Sequence, residues 1–483
     1  MNIEKTLEKG NENEKDVISW DKIKSFDFNK PLTDYGFITR LTDENKWTQK
    51  FTDKAILEYK KFMYLAATAG IMVSPSEIVD IVWHQHLIFT ESYNEFCNLL
   101  GKKIQHIPST HNKAEFEKFK SAKDNTTKLY EKQFGKQPSD IWENTTMYQP
   151  LNLKESTITI EKVVILGSVI SLIVLIPLHF LMQPIYSQIN GSDFFLFYIP
   201  LLIIVGIGLT SFNTSYLKKM VKNWPEDAFI HDLSISEVIY LKKGKKNDVV
   251  HNEVNKLVKN RKIEINSKYE IKEKSKTKPK SVEEFVILDT LTALTATSDK
   301  VFYPSLLQAL TNKEVFRNTY QAMDKFMEII KSSKTFIKLF LINYIAISAI
   351  MIIGFIRLFM GISNDRPIFF IAVLLVILLI FSIVHLGRLS NKMAKDSIPN
   401  LYKNQILPKK YGKEISNSTT HEWSYIYVDS SVFDASFTPL VSYTNSNSSS
   451  YSSDGGSCGS SCGSSCGSSC GSGCGGGCGG CGG

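Results

Sequence analysis

Four residues in one short stretch, "VWHQHLIFTESYNEFCNLLGKKIQH", are candidates to hold a metal ion: His84, His86, Cys97 and His106. Imidazole nitrogen and thiolate sulfur are the donors zinc takes in tetrahedral sites, so the residue types are suitable. Spacing sets a condition. On an α-helix His84 and His86 lie about 200° apart, and one ion takes both only where the chain runs extended. Kept helical, His86 falls on the apolar stripe with Val79, Val82 and Trp83, while His84 stands one turn beyond Asp80. Three readings stay open: a buried, hydrogen-bonded His86 beside an Asp-paired His84, a metal site, and acid–base catalysis. Cys97 alone is more often a core thiol than a ligand.

The second set is the closing stretch "SCGSSCGSSCGSSCGSGCGGGCGGCGG", with Cys458, Cys462, Cys466, Cys470, Cys474, Cys478 and Cys481. These are seven of the eight cysteines of the chain. In a reducing compartment a disulfide framework is not expected of them. Reduced thiolates at four-residue intervals can wrap a soft metal such as zinc or copper(I). The rival readings are a substrate for modification or processing, and a flexible tail whose composition is not exploited. Two bare patterns in the repeat carry nothing. Gly459-Ser460-Ser461-Cys462-Gly463 fits GxSxG without the strand-turn-helix that strains a nucleophilic serine. Cys478-Gly479-Gly480-Cys481 fits CxxC without a helix N-terminus to lower a thiol pKa.

Which compartment these residues occupy depends on four runs of nearly pure hydrocarbon: Val163–Met182, Phe194–Phe212, Phe336–Phe359 and Pro367–Leu386. Each approaches the about 20 residues that cross the hydrocarbon core of a bilayer. Short polar links, Gln183–Asp193 and Gly361–Arg366, join them into two hairpins. The first link has no Lys or Arg, whereas Lys218, Lys219 and Lys222 follow the second span and Lys331, Lys334 and Lys338 lead into the third. Arg388, Lys392 and Lys395 follow the fourth. This bias places both termini and the long middle loop in the cytoplasm, with Arg357 and Arg366 as exceptions at the outer end. His179 and His385 are ionisable groups within the spans, and both sit near an interface. Spans without buried carboxylates argue for anchor and scaffold over transporter.

Outside the membrane the expected class is mainly α. Residues 1–16 are expected to be disordered and 17–150 to form an all-helical domain. There Thr52 caps a helix from Asp53, and Ser74 with Glu77 makes a capping box for a helix from Pro75 to Leu87. A helix from Glu91 to Leu100 and a charged one between Lys113 and Phe134 follow. In the middle loop, residues 224–334, Ser234 and Glu237 form a capping box for a helix stopping near Gly244. A helix over Val249–Lys259 and a hairpin in "RKIEINSKYEIKE" come next. Two helices and a hairpin give the order of a winged-helix unit, with amphipathic helices from Val282 to Lys331 after it. Residues 387–444 read as a juxtamembrane polar segment, and 445–483 as a disordered tail.

The middle loop from Ser215 to Lys334 holds 23 Lys/Arg against 16 Asp/Glu, nearly all of the net +8 of the 483-residue chain. A basic surface attracts phosphate, but the anionic inner leaflet is always at hand for a segment tethered on both sides. The bilayer and protein partners are therefore expected, and nucleic acid is not.

Two resemblances complete the reading. Trp83, His84, His86, Tyr93, Cys97, His106 and Pro108 resemble the signature of the glycine-rich domain-containing protein-like family. The stretch "DLSISEVIYLKKGKKNDVVHNEVNKLVKNRKIEI" and the closing repeat are similar to an uncharacterised bacterial family of multi-pass membrane proteins with Gly/Cys-rich tails. That family usually has Gly-Gly where this chain has Lys243-Gly244. Both resemblances imply architecture and no activity. The expected function is a non-enzymatic, membrane-anchored scaffold or interaction protein with a cytoplasmic cysteine-rich tail, soft-metal binding being one of the tail's open readings. The alternative is a metal-dependent enzyme using the His/Cys motif, or a tail that is a substrate for modification or processing.

Overall fold

Hydrocarbon-length helices and shorter amphipathic ones dominate this computed structural model, which describes residues 19–107, 115–266, 268–275 and 277–412, positions 423, 441 and 444, and the backbone of 481–482. In chain order the helices and strands are α1 Trp20–Ser25, α2 Phe37–Asn45, α3 Gln49–Thr68, α4 Glu77–Ile88, α5 Thr90–Leu99, β1 Gln105–His106, α6 Phe116–Phe134 and α7 Ser139–Trp142. Next come α8 Ile160–Tyr186, α9 Gly191–Lys222, α10 Ile235–Lys243, α11 Lys246–Lys259, β2 Ile263–Ile265, β3 Ile271–Glu273, α12 Val282–Thr297, α13 Tyr303–Thr311 and α14 Glu314–Ser332. The last are α15 Lys334–Ser363, α16 Phe369–Lys392, α17 Ile398–Leu401, α18 Leu407–Tyr411 and β4 Cys481–Gly482. The fold is mainly α, and among the described residues two small antiparallel sheets pair β1 with β4 and β2 with β3.

The chain divides into two compact units. Of the described residues, one gathers 19–31, Thr52–Thr146 and 481–482; the other gathers Leu32–Phe51 with the residues from 147 to 444. The division departs from a boundary at 150, because α2 packs on α14, where Asn318 Nδ2 donates to the Thr39 carbonyl at 2.9 Å.

In the first unit Tyr59, Phe62, Trp83 and Phe96 are fully buried. Truncating such an aromatic to alanine typically costs about 3–5 kcal/mol. Two helix starts differ from the sequence reading. The third helix begins at Gln49, with Thr48 Oγ1 accepting from the Phe51 amide at 3.4 Å, so Thr52 lies inside it. The fourth begins at Glu77, because Ser76 Oγ takes the Val79 amide at 3.2 Å. Ser74 instead pairs its backbone with Thr126 Oγ1. Glu58, buried on α3, accepts from Tyr130 Oη at 2.7 Å, Trp142 Nε1 at 2.8 Å and Lys61 Nζ at 2.8 Å. These bonds offset the desolvation of the carboxylate and tie α3 to α6 and α7.

In the second unit the Ser234–Glu237 capping box is present, and Gly244 ends α10 at φ +70°, a conformation that favours glycine. The next helix starts three residues earlier than Val249, at Lys246, and the β2–β3 hairpin follows as read. Val250, Val254, Ile263, Ile287, Leu306 and Tyr320 share one core across α11–α14 and the hairpin.

Among the described residues four helices are long and apolar enough to cross a membrane. On α15 pack α8, α9 and α16. Gly354 allows close approach there, since a Cβ would come within 2.6 Å of Tyr198 Oη and 2.7 Å of Leu375 Cδ2. Asn213 and Asn343, both buried, exchange amide hydrogen bonds of 2.8 and 2.7 Å between α9 and α15, and His385 Nε2 of α16 lies 3.0 Å from Asn343 Oδ1. The polar stretch expected after the fourth span is helical as far as Tyr411, through π turns at Met393–Ser397 and Tyr402–Ile406. It stays helical because Met393, Ile398, Tyr402 and Leu407 are buried, and Tyr402 Oη donates to the Ile230 carbonyl at 3.0 Å.

Candidate metal centre

The fourth helix carries Asp80 and His84 four residues apart, which places both side chains on one face. His106 comes to the same face from β1, on the segment after α5. Its Nε2 lies 2.9 Å from Asp80 Oδ1, and His84 Nε2 lies 3.4 Å from Asp80 Oδ2. Donor atoms of Asp80, His84 and His106 all lie within 4.8 Å of one another. Side-chain exposure is 18% for Asp80, 10% for His106 and 57% for His84, so the group is walled on one side and open on the other.

What aims His106 is legible in the contacts around it. The Trp83 ring meets the His106 ring edge-on at 4.4 Å, and Trp83 Nε1 donates to Tyr93 Oη at 3.3 Å. The Tyr93 hydroxyl in turn donates to the carbonyl of Ile104, two residues before His106. Tyr93 thus clamps the incoming segment to α5, and Trp83 backs the ring.

Electrostatics follow from the shared carboxylate. Burial raises the Asp80 pKa, but the hydrogen bonds from His106 and His84 outweigh it and hold the carboxyl below its usual range. The hydrogen bond to Asp80 raises the His84 pKa against partial burial. One carboxylate and two imidazoles form a three-donor set that zinc accepts while keeping a further position open.

The three histidines and the cysteine read from the sequence do not converge. His84 and His106 come together, and neither His86 nor Cys97 joins their group. His86 points into the core, as its helical position requires. Its Nδ1 lies 2.8 Å from Tyr59 Oη and its Nε2 3.2 Å from Ser92 Oγ, with the Phe28 ring edge-on at 4.7 Å. Burial pushes its pKa down to about 3, so the ring is neutral. Cys97 is a buried free thiol. The third donor is Asp80, whose signal is the DxxxH spacing on an amphipathic helix. Of the tail, Cys458, Cys462, Cys466, Cys470, Cys474 and Cys478 lie outside the described residues, as does Pro108, and Cys481 is described by its backbone alone.

A family model described as UCP032817-like matches residues 21–128, the stretch that contains all three donors. No curated protein and no solved structure matches the chain.

Proposed function

We propose that this chain is a membrane-anchored scaffold whose N-terminal helical unit binds a divalent transition metal, zinc by donor chemistry, at Asp80, His84 and His106. The observation that carries this reading is the meeting of the three donors within 4.8 Å. The likeness of Trp83, Tyr93 and His106 to the glycine-rich domain-containing protein-like signature supports it, since these residues build the corner that holds the site. Four apolar helices serve as the anchor, with Asn213, Asn343 and His385 bonded to one another inside it. By charge bias the metal site, the middle loop and the tail face the cytoplasm. The partners of the scaffold are proteins that dock on its non-membrane parts. The exposure of His84 favours a second reading, activation of a metal-bound water for hydrolysis.

The test is metal analysis of the full chain purified in detergent, with the seven tail cysteines replaced by serine so that one site is counted. About one zinc per chain is expected. His84→Ala, His106→Ala and Asp80→Asn should each weaken binding by at least roughly 10-fold, while His86→Gln leaves stoichiometry unchanged. A folded, metal-free chain, or metal retained after all three substitutions together, would overturn the assignment.

A further inference from the structure

The second and fourth spans, α9 and α16, both pack on α15 and leave a groove between them. Its membrane part is a cavity of about 750 Å³, walled by Leu202, Ile207, Leu374, Leu378 and Phe381 with Gly206 on its floor. Thr210 and Phe381 also line a second cavity of about 550 Å³, which continues the groove toward the C-terminal ends of both helices. Lys392 and Asp396 lead from that one into a third, of about 430 Å³. Along this path the chemistry changes from hydrocarbon to cation. Arg388, Lys392 and Lys395 contribute from the α16 side and Lys218 and Lys222 from α9, with Asp396 the lone carboxylate lining it. Among the described residues none of the five cations forms an ion pair, and each lines the second or third cavity. The π turn Met393–Ser397 packs against α9 and closes the basic end.

We propose that this groove binds one anionic glycerophospholipid, its acyl chain along the apolar wall and its phosphate among the five cations. Two observations and one general rule argue for this occupant. The apolar part is continuous with the lipid-facing surface, where Ile203, Ile207 and Ile377 are exposed. The α9 helix, 32 residues long, spans about 48 Å at the helical rise, so its lysines stand beyond a hydrocarbon core of about 30 Å, at head-group depth. Basic pockets between transmembrane helices are where head-group phosphates are held. The charge bias that orients membrane proteins places lysines at span ends; it does not require five cations to line two adjoining cavities that continue into an acyl-width groove. This inference is independent of the metal reading.

The experiment is thermal unfolding and native mass spectrometry of the full chain in detergent. The additions are phosphatidylglycerol, phosphatidylcholine or inorganic phosphate. Phosphatidylglycerol alone should raise the midpoint and remain bound. At about 1 kcal/mol per cation, Lys218→Gln, Lys392→Gln and Lys395→Gln together should lower its affinity by roughly 100-fold. Gly206→Phe should abolish chain binding, because a Cβ there meets nothing within 4 Å and the ring would fill the groove without disturbing the fold. Gly208→Phe, equally open but off the groove, is the control for folding and should bind as the unaltered chain does. Equal stabilisation by phosphatidylcholine, or by inorganic phosphate, would overturn the proposal. So would full retention of phosphatidylglycerol by Gly206→Phe.

Discussion

His251 and His86 are both buried imidazoles held neutral, each with a pKa pushed down to about 3 by burial. His251 has no exposed surface, and its Nδ1 shares a 2.6 Å hydrogen bond with Tyr303 Oη, itself buried on α13. The sign of the pH dependence follows from where the proton binds. The unfolded chain protonates this ring at its ordinary value near 6.5, and the folded chain does so only near 3. Stability from the group is therefore complete above pH 6.5 and falls as pH drops toward 3, by roughly 1.4 kcal/mol per unit. Between pH 6.5 and 5 unfolding of the full chain should lose about 2 kcal/mol from this ring. His251→Gln should flatten the slope by that amount while other buried imidazoles keep their share. An unchanged slope would refute the assignment. At this scale the sequence was partly transparent. Apolar periodicity placed His86 inside, and the four-residue step paired His84 with Asp80. Nothing local announced that His106, 26 residues from Asp80, would arrive beside both, because Tyr93 and Trp83 fix that approach through tertiary contacts.

At the scale of elements, the hydrogen-bonded asparagines hold three spans in register. Asn213, Asn343 and His385 belong to α9, α15 and α16, and each amide has its partner within the bundle. Asn343→Leu removes the amide that Asn213 bonds on α15, and Asn213→Leu removes one partner of Asn343, which keeps the Leu339 carbonyl and His385. Interhelical hydrogen bonds in membranes contribute about 0.6–2 kcal/mol. The double Leu variant should accordingly cost less than the sum of the singles by about 1 kcal/mol in detergent unfolding; strict additivity would show that the pair does not couple. Ionisable side chains are the usual flag inside a span, and these neutral amides escape it. Hydrophobic run length located all four spans, and the capping box and glycine marked α10, since those signals are local. The start of α4 was misplaced because Ser74 and Ser76 are both competent caps, and packing of Ser74 against Thr126 decides between them.

For the whole molecule the open property is sidedness. With all four helices crossing, the links at 187–190 and 364–368 would share one face of the membrane and the residues before α8, between α9 and α15, and after α16 would share the other. The expectation from the lysine distribution is that the face shared by the residues before α8, between α9 and α15, and after α16 is cytoplasmic, with Arg357 as the main exception. Arg357 has a structural role of its own, since its Nη1 donates to the carbonyls of Tyr186 at 3.2 Å and Ile189 at 3.1 Å, where α8 ends, and its guanidinium lies over the Phe194 ring. A residue held by a helix terminus is a weak witness on orientation, so Arg357 does not count against the proposed sidedness. Tail thiols report the outcome directly, because Cys97 is buried and contributes little background. A membrane-impermeant maleimide should leave intact cells unlabelled and react with the tail only after permeabilisation. Cysteines introduced at Ser187 or Asn364 in a chain without tail thiols should show the reverse. Labelling of the tail on intact cells would invert the topology, place the metal site and the basic groove outside, and return the tail to conditions where disulfides form.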